Sequence, residues 1–366
     1  MTKLRRFAKE GSGCAAYRKL RSIGTPRRAE FPLVLGLALL IPAISLAGEG
    51  AKKNQQLQSV PDNLPAVLWV QPASIANRDL FHGPGGRDHE PHTTFTFLRE
   101  DLNGTNPKFD VRDEDGTKWR VKLGAEAKPE IAASRLLWAI GYFANEDYFL
   151  PDLRVKDMKG LKRGQHLLGP DGSMKSVRLK RFLRDEKKIG NWHWRSNPFI
   201  GTHEFNGLRV MMALMNNWDL KDENNAVYQE TTSAAVPELH YMVSDLGATF
   251  GTTGLSYRGS SSKGNLTAYA SSKFIKKVSA HYVDFNVPTR PNLWRLVSLK
   301  EFVSRVRLEW IGWHIPRADA RWVGQLLSQL SRDQVRQAFQ AAGYFPDDVD
   351  RFTDVVEKRI EELKSL

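Results

Sequence analysis

The hydrophobic pattern of the chain changes from a strand period to a helix period about halfway along it. Strand-like patterns occur first, in FTFLREDL, FDVRD, KWRVKLG and VRLKRFL. One helix interrupts them, from Pro129 to about Tyr142, with its apolar residues on one face. Helical periodicity dominates later, in HEFNGLRVMMALMNN and over most of residues 299–366. We therefore expect an α+β protein with a strand-rich lobe over 93–185 and a mainly helical lobe over 186–366.

The N-terminus has the pattern of an export signal. Residues 1–30 are basic, residues 31–46 read FPLVLGLALLIPAISL, and Ser45-Leu46-Ala47 is a small-x-small cleavage pattern. We expect residues 1–47 to be a signal peptide or an uncleaved signal anchor that places the body outside the cytoplasm, periplasmic or secreted. Membrane contact is then expected only through residues 31–47. The polar stretch 48–92 is expected to be a linker and approach segment.

Charge and cysteine content exclude several function classes. The chain has 54 basic and 41 acidic residues; residues 1–47 hold nine and two of these, so the other 319 carry 45 and 39, a net charge of +6. No short stretch concentrates this charge into a nucleic-acid-binding stripe, and no nucleic-acid partner is expected. The single cysteine, Cys14, lies in the export segment. The body therefore has no disulfide, thiolate metal site or cysteine nucleophile.

A lysine on a strand and a glutamate on the next helix form the first candidate motif. Lys122 ends the strand KWRVK, and Glu130 lies eight residues later at the head of the predicted helix. A lysine on a sheet that pairs with a glutamate on the facing helix is well placed to grip a phosphate.

Two later motifs add carboxylates. Asp219-Leu220-Lys221-Asp222-Glu223-Asn224 directly follows a predicted helix, and Asp245-Leu246-Gly247 ends the strand HYMVSDLG. Phosphoryl transfer needs a carboxylate to orient the attacking hydroxyl and oxygen ligands for a metal ion. Asp219 and Asn224 can supply both, with Lys221 near the transferring phosphate, and Asp245 can hold Mg²⁺.

Taken together, these motifs resemble those of the protein-kinase-like superfamily over about residues 94–250. DLKDEN resembles the catalytic loop, SDLG the metal-binding motif, and VKLG with Glu130 the lysine–glutamate pair. The short turn NGTNPK resembles the phosphate-covering loop of the atypical branch, which includes HipA-like, lipid-kinase-like and secreted kinases. The resemblance implies a two-lobed kinase-like fold with an antiparallel sheet and one helix in its N-lobe and a mainly helical C-lobe.

The resemblance also implies a role for each matched residue. Asp219 is then the catalytic carboxylate and Lys221 helps to neutralise charge in the transition state. Asn224 and Asp245 are metal ligands, for Mg²⁺ or Mn²⁺. Contact with the phosphates of ATP or another nucleoside triphosphate is implied for Lys122 with its partner Glu130, and for the turn residues Gly104, Thr105 and Lys108.

The sequence also departs from the kinase pattern. Asn217-Trp218 stands where ordinary kinases have His-Arg, Leu246 replaces the usual aromatic residue, and the interval from Asp219 to Asp245 is long. None of these departures removes a group that the chemistry needs.

Three functional interpretations follow. The first is an exported, atypical kinase-like phosphotransferase with an unknown protein or small-molecule acceptor. The second is a non-catalytic, envelope-associated binding protein that retains the fold, and the third is an unrelated exported α+β protein.

One loop outside the kinase-like motifs is rich in acidic residues and histidines. Such residues can bind Zn²⁺ or Ni²⁺, but no predicted helix or strand fixes their geometry. They are His82, Asp88, His89, Glu90 and His92.

The export signal can be tested apart from the rest of the chain. We expect residues 1–47, fused to an alkaline phosphatase that is active only after disulfide formation, to give phosphatase activity in a bacterial host. Replacing Leu37 and Leu39 with arginine is expected to abolish this activity, because charge in the apolar run opposes membrane insertion. Equal activity of both fusions, measured at matched expression levels, would contradict the prediction.

Overall fold

The computed structural model describes residues 61, 63–104, 106–158, 160–230, 237–253, 262–289, 303 and 306–366. The predicted export segment 1–47 lies outside them. The strands are β1 (Ala66–Val67), β2 (Phe95–Asp101), β3 (Lys108–Asp113), β4 (Lys118–Lys122), β5 (Asp147–Leu153), β6 (Val155–Lys156), β7 (Met174–Arg181), β8 (Glu186–Gly190), β9 (Asn225–Glu230), β10 (Glu238–Val243), β11 (Ile275–Val278), β12 (Tyr282–Phe285) and β13 (Ile315–Pro316). The helices are α1 (Ala127–Ala139), α2 (His203–Leu214), α3 (Leu266–Ser271), α4 (Arg317–Leu327), α5 (Arg332–Ala341) and α6 (Pro346–Lys364). Across these ranges we find no helix that combines the length and apolarity of a bilayer span.

The N-lobe is a six-stranded sheet in the order β5-β7-β4-β3-β2-β6. β3 and β4 are antiparallel with Lys108 opposite Lys122. Side chains alternate between the two faces of a sheet, so Phe109 and Val121 point into a buried apolar cluster while Lys108 and Lys122 share the other face. The helix α1 packs against β5 and β7.

The C-lobe combines helices with two small sheets. A four-stranded sheet has the order β1-β10-β9-β8, and a three-stranded sheet has the order β11-β12-β13. Helices α2, α4, α5 and α6 pack on one another around a large apolar core. This architecture confirms the expected fold class, α+β with a two-lobed kinase-like arrangement.

Helix α1 belongs to the core of the C-lobe although it is part of the N-lobe in sequence. It packs on α5, and Ile131 and Leu136 are fully buried in the same cluster as the C-lobe helices. The position of α1, and of any side chain it carries toward the cleft, therefore depends on the packing of residues 332–341.

The segment from 64 to 92, which the sequence pattern presents as an approach segment, contributes to the C-lobe. β1 pairs in parallel with β10, and Leu68, Ile75 and Leu80 are buried. The side chain of Gln334 on α5 donates hydrogen bonds to the carbonyl of Ile75 at 3.0 Å. A two-residue strand gives no periodicity, which is why the sequence pattern does not reveal it.

A buried arginine orders the chain between α2 and the loop that follows. Arg359 of α6 is 2 % exposed and donates hydrogen bonds to the carbonyl of Leu214 at 2.7 Å and to Asn216 Oδ1 at 2.9 Å. Asn216 has a positive φ of 52°, a backbone conformation that asparagine tolerates better than most residues. The loop that carries Asp219 therefore leaves α2 along a path that α6 fixes.

Leu80 tests whether the approach segment is part of the fold. Leu80→Ala leaves a cavity at a fully buried site, and we expect it to lower the free energy of unfolding by about 2–5 kcal/mol. The matched control is Leu102→Ala, at a side chain that is 50 % exposed, which we expect to cost less than about 1 kcal/mol. Urea denaturation measures both, and equal losses would show that the segment is not held in the core.

Candidate active site

Lys122 lies at the centre of a cluster of three carboxylates. Its Nζ is 2.8 Å from Glu130 Oε2, 3.1 Å from Glu126 Oε2 and 3.1 Å from Asp245 Oδ1. β4 positions the lysine, and the turn into α1 together with the first turn of α1 positions the two glutamates. Asp245 comes from the loop after β10, so the cluster joins the two lobes. The predicted Lys122–Glu130 ion pair is present in the structure.

The electrostatics of the cluster keep Lys122 charged. Burial alone would lower the pKa of Lys122, but attraction by Glu130 and Asp245 outweighs burial and raises this pKa above its ordinary value. Burial would likewise raise the pKa of Asp245, yet Lys122 and the backbone amide of Gly247 lower it to about 2. Burial raises the pKa of Glu130, an effect that Arg178 and Lys122 oppose.

A second ion pair holds the Glu130 oxygen that does not contact Lys122. Arg178 on β7 contacts Glu130 Oε1 at 2.5 Å and Asp147 Oδ1 at 3.3 Å. Asp147 also accepts a hydrogen bond from Ser134 of α1 at 3.0 Å. These side chains are all buried, and removing one partner of a buried charge network is costly because it leaves the others unpaired. The head of α1 is therefore held in a single position relative to β4 and β7.

The loop that contains Asp219 is bonded directly to the segment that contains Asp245. The backbone carbonyl of Asn224 accepts hydrogen bonds from the amides of Ser244 at 2.9 Å and Asp245 at 3.2 Å. The Asn224 side-chain amide donates to the carbonyl of Asp219 at 2.6 Å. Lys221 Nζ lies 3.8 Å from Asp219 Oδ1. The second motif is therefore held next to Asp245, which itself contacts Lys122.

The turn between β2 and β3 lies at the end of the sheet where β4 ends in Lys122. Gly104 has a positive φ of 72°, a conformation that suits glycine. Lys108 is directly opposite Lys122 in the strand register, and its Nζ is 3.6 Å from Asp101. Burial lowers the pKa of Lys108. Thr105, the third predicted residue of this turn, lies outside the described residues.

The sequence patterns do not predict three residues that contact the site. Glu126 precedes α1 and contacts Lys122; Lys263 pairs with Glu126; and Arg163 binds the backbone of the turn, donating to the carbonyl of Asp101 at 2.8 Å. The only available signal was the position of Glu126, four residues after Lys122. Lys263 and Arg163 lie in irregular segments that no motif marks.

The cluster has the composition of a divalent cation site. One carboxylate oxygen each from Glu126, Glu130 and Asp245 lie within 4.8 Å of one another, and oxygen ligands are those that Mg²⁺ and Mn²⁺ prefer. Gly247 allows this close approach, because a Cβ on it would lie 2.7 Å from the Cβ of Glu126. Of the two predicted metal ligands, Asp245 is in this group, whereas the Asn224 side chain is bonded to the Asp219 backbone.

The acid–histidine loop does not converge on one site. His82 pairs with Asp79 at 2.6 Å, His89 with Glu146 at 2.9 Å, and His92 with Asp115 at 2.7 Å. Each histidine thus has its own carboxylate partner, and within the described ranges the only group with metal-binding geometry is the cluster around Lys122.

Comparisons with known proteins find similarity only among solved structures. No family model matches the chain, and no curated protein matches it. The crystal structure of the proinflammatory kinase CtkA of Helicobacter pylori has 10 % sequence identity and a TM-score of 0.42, covering 75 % of this chain and 97 % of that one. A crystal structure of the Golgi casein kinase has 10 % identity and a TM-score of 0.34, covering 75 % and 71 %. A second Golgi casein kinase structure, with Mn and ADP bound, has 11 % identity and a TM-score of 0.29, covering 75 % and 74 %.

The lowered pKa of Asp245 predicts an acid-dependent loss of stability. A carboxylate whose pKa is about 2 in the folded chain and about 3.9 when unfolded stabilises the fold above pH 4 and loses this effect as the pH falls from about 4 to about 2. We expect Asp245→Asn to lose less stability than wild type between about pH 5 and pH 3. The difference should be roughly 1 kcal/mol, since solvent screens a side chain that is 39 % exposed.

Urea denaturation at the two pH values measures this difference. Asp333→Asn, at an exposed position on α5, is the matched control and should follow wild type. If Asp245→Asn and wild type lose stability equally on acidification, Lys122 does not stabilise the Asp245 carboxylate.

Proposed function

We propose that this chain is an exported, atypical kinase-like phosphotransferase that uses a nucleoside triphosphate and Mg²⁺ or Mn²⁺. The observation that carries the proposal is the contact of Lys122 with both Glu130 and Asp245, together with the backbone hydrogen bond that joins Asp245 to Asn224 of the Asp219 loop. A buried ammonium between two lobes, next to carboxylates from both, is what phosphoryl transfer requires for holding phosphates and metal together.

The sheet face that carries Lys122 offers a path for the nucleotide. Lys108 and Lys122 are cross-strand neighbours, and the next pairs on the same face are Asp110 with Arg120 and Arg112 with Lys118. These pairs lie roughly 7 and 13 Å further along the strands at about 3.3 Å per residue. A cavity of about 680 Å³ opens there, lined in part by Asp110, Lys118 and Phe182. Triphosphate oxygens at the lysines would direct the nucleoside toward this cavity.

Glu126, Glu130 and Asp245 fit a divalent cation by their donor atoms and spacing. When bound, such a cation neutralises charge on the phosphates. Lys122, Arg178, Lys263 and Arg135 balance Asp147 and these three carboxylates, four charges of each sign. The fit to a cation therefore rests on the donor atoms and their spacing.

Asp219 is the group best placed to act on the acceptor. Its side chain is 28 % exposed, and Asn224 fixes its backbone. In the proposed reaction the acceptor hydroxyl oxygen bonds to the γ-phosphorus while the bond from phosphorus to the β,γ-bridging oxygen breaks. The hydroxyl proton passes to the Asp219 carboxylate. Lys221 adds positive charge beside it.

A non-catalytic, envelope-associated binding protein with this fold is the second candidate. The observation that favours it is that Lys122 and Lys263 already neutralise Glu126, so the cluster is stable as a purely structural network. An unrelated α+β protein is disfavoured, because that interpretation gives no reason for Lys122, Glu130 and Asp245 to form one ion-pair cluster beside the Asp219 loop.

Nucleotide binding separates the two candidates. We expect ATP with Mg²⁺ or Mn²⁺ to raise the melting temperature of wild type, because a ligand that binds only the folded state stabilises it. Asp245→Ala should abolish the rise, whereas Asp333→Ala, at an exposed position, should retain it. Absence of a shift in wild type would favour the binding-protein interpretation.

Asp219→Asn then separates catalysis from binding. We expect this variant to retain the ATP-induced shift but to lose phosphate release or autophosphorylation by at least about 100-fold, since a positioned proton acceptor contributes this much to proton transfer. Undiminished turnover in Asp219→Asn would assign the chemistry to another residue.

A further inference from the structure

Lys263 reaches into the carboxylate cluster from the segment after Asp245. Its Nζ pairs with Glu126 Oε1, while Lys122 Nζ contacts Glu126 Oε2 at 3.1 Å. The Glu126 side chain is only 8 % exposed. Both oxygens of this carboxylate therefore contact ammonium groups inside the protein, and a divalent cation that ligates Glu126 is repelled by both.

The two lysines differ in how firmly they are held. Lys122 is 7 % exposed and also contacts Glu130 and Asp245. Lys263 is 22 % exposed, and within the described ranges Glu126 is its one carboxylate partner. Displacing Lys263 breaks one ion pair near solvent, whereas displacing Lys122 breaks three in the interior. Lys263 is therefore the group that a cation displaces.

The backbone around Lys263 is fixed, so displacement involves the side chain. The amide of Ser262 donates to the carbonyl of Thr252 at 2.8 Å, and the amide of Gly264 donates to the carbonyl of Thr249 at 2.9 Å. Trp218 Nε1 donates to the carbonyl of Ser262 at 3.0 Å. A lysine side chain has a flexible four-carbon stem, which lets the ammonium move while its backbone stays in place.

The Lys263 ammonium already lies near an aromatic ring. Its Nζ is 5.7 Å from the centre of the Trp218 ring, a distance at which a cation and an aromatic face attract each other. Trp218 directly precedes Asp219. This contact with Trp218 does not depend on Glu126, so it can hold the ammonium nearby after the ion pair breaks.

We infer that Lys263 and a divalent cation compete for Glu126, and that the cation releases the Lys263 ammonium from this carboxylate. The inference rests on the proposed function for the nature of the cation site. It assigns Lys263 as the residue that sets the affinity of the site for the cation.

Metal affinity in the absence of nucleotide tests the competition. Mn²⁺ binding to wild type, Lys263→Met, Lys263→Arg and Lys128→Met is measured by the electron paramagnetic resonance signal of free Mn²⁺. We expect Lys263→Met to bind Mn²⁺ at least about fivefold more tightly than wild type, since no ion pair has to be broken. Lys263→Arg should stay near wild type. Lys128→Met, which removes a charge from the first turn of α1 that does not contact Glu126, should change affinity less than about twofold.

The reactivity of Lys263 in the wild-type chain gives an independent measurement. Acetylation by a limiting amount of an activated acetate ester is quantified by mass spectrometry with and without Mn²⁺. We expect Mn²⁺ to increase labelling of Lys263, because a lysine released from an ion pair is more reactive, and to leave the exposed Lys277 unchanged. Mn²⁺ affinity in Lys263→Met that is equal to or weaker than wild type, or unchanged labelling of Lys263 at saturating Mn²⁺, overturns the inference.

The two proposals fail in different ways. If Mn²⁺ binds with the expected order of affinities but ATP gives no thermal shift, the proposed phosphotransferase function is rejected and the inferred competition at Glu126 is retained. If ATP and Mn²⁺ bind and Lys263→Met shows no gain in Mn²⁺ affinity, the phosphotransferase stands and the role of Lys263 is lost. If neither wild type nor Lys263→Met binds Mn²⁺, the cation site itself is wrong and both fail.

Discussion

The buried ammonium of Lys122 is the interaction on which the cleft depends. Three carboxylates contact it: Glu126 from the turn after β4, Glu130 from α1 and Asp245 from the loop after β10. Without this cation, the carboxylates would repel one another at distances where burial already penalises their charge. Lys122 therefore ties a strand of the N-lobe sheet, the start of α1 and the loop after β10 to one another, in addition to the apolar packing of α1 on α5. A second cation, Arg178, supports the same arrangement from the far side of Glu130.

Sequence patterns predicted the parts of this structure that have local signals. The alternation in β2, β3 and β4 and the apolar face of α1 are periodic over enough residues to be recognised. Lys122, Glu130, Asp219, Asn224 and Asp245 were found because their order along the chain matches a known pattern. The structure joins Lys122, Glu130 and Asp245 through ion pairs and bonds the loop of Asp219 and Asn224 to the backbone of Asp245, and the roles assigned to the five residues remain predictions.

The parts that sequence did not predict depend on contacts between distant residues. Glu126 and Lys263 are 137 positions apart, and nothing near either residue indicates the other. The strand β1 is too short to show a period, and its membership in the sheet depends on β10. Asn224 illustrates a different limit: the residue type was identified correctly, but its side chain bonds to the backbone of Asp219 rather than joining the carboxylates. Spacing along a loop shows that two groups are near each other and does not determine which atoms point into the cleft.

The path by which Arg359 orders the loop after α2 has a consequence for how the chain matures. The arginine and the carbonyl of Leu214 that it binds are 145 residues apart in sequence. On a ribosome, the segment with Asp219 is thus made well before the side chain that fixes its departure from α2. Helix α1 is likewise synthesised well before α5, the helix on which it packs. A nascent chain can complete its N-lobe sheet early, whereas the cleft between the lobes takes its final form only once both late helices have been synthesised. Assembly of the site is therefore coupled to the synthesis of residues 332–364 rather than to the folding of the lobe that carries Lys122.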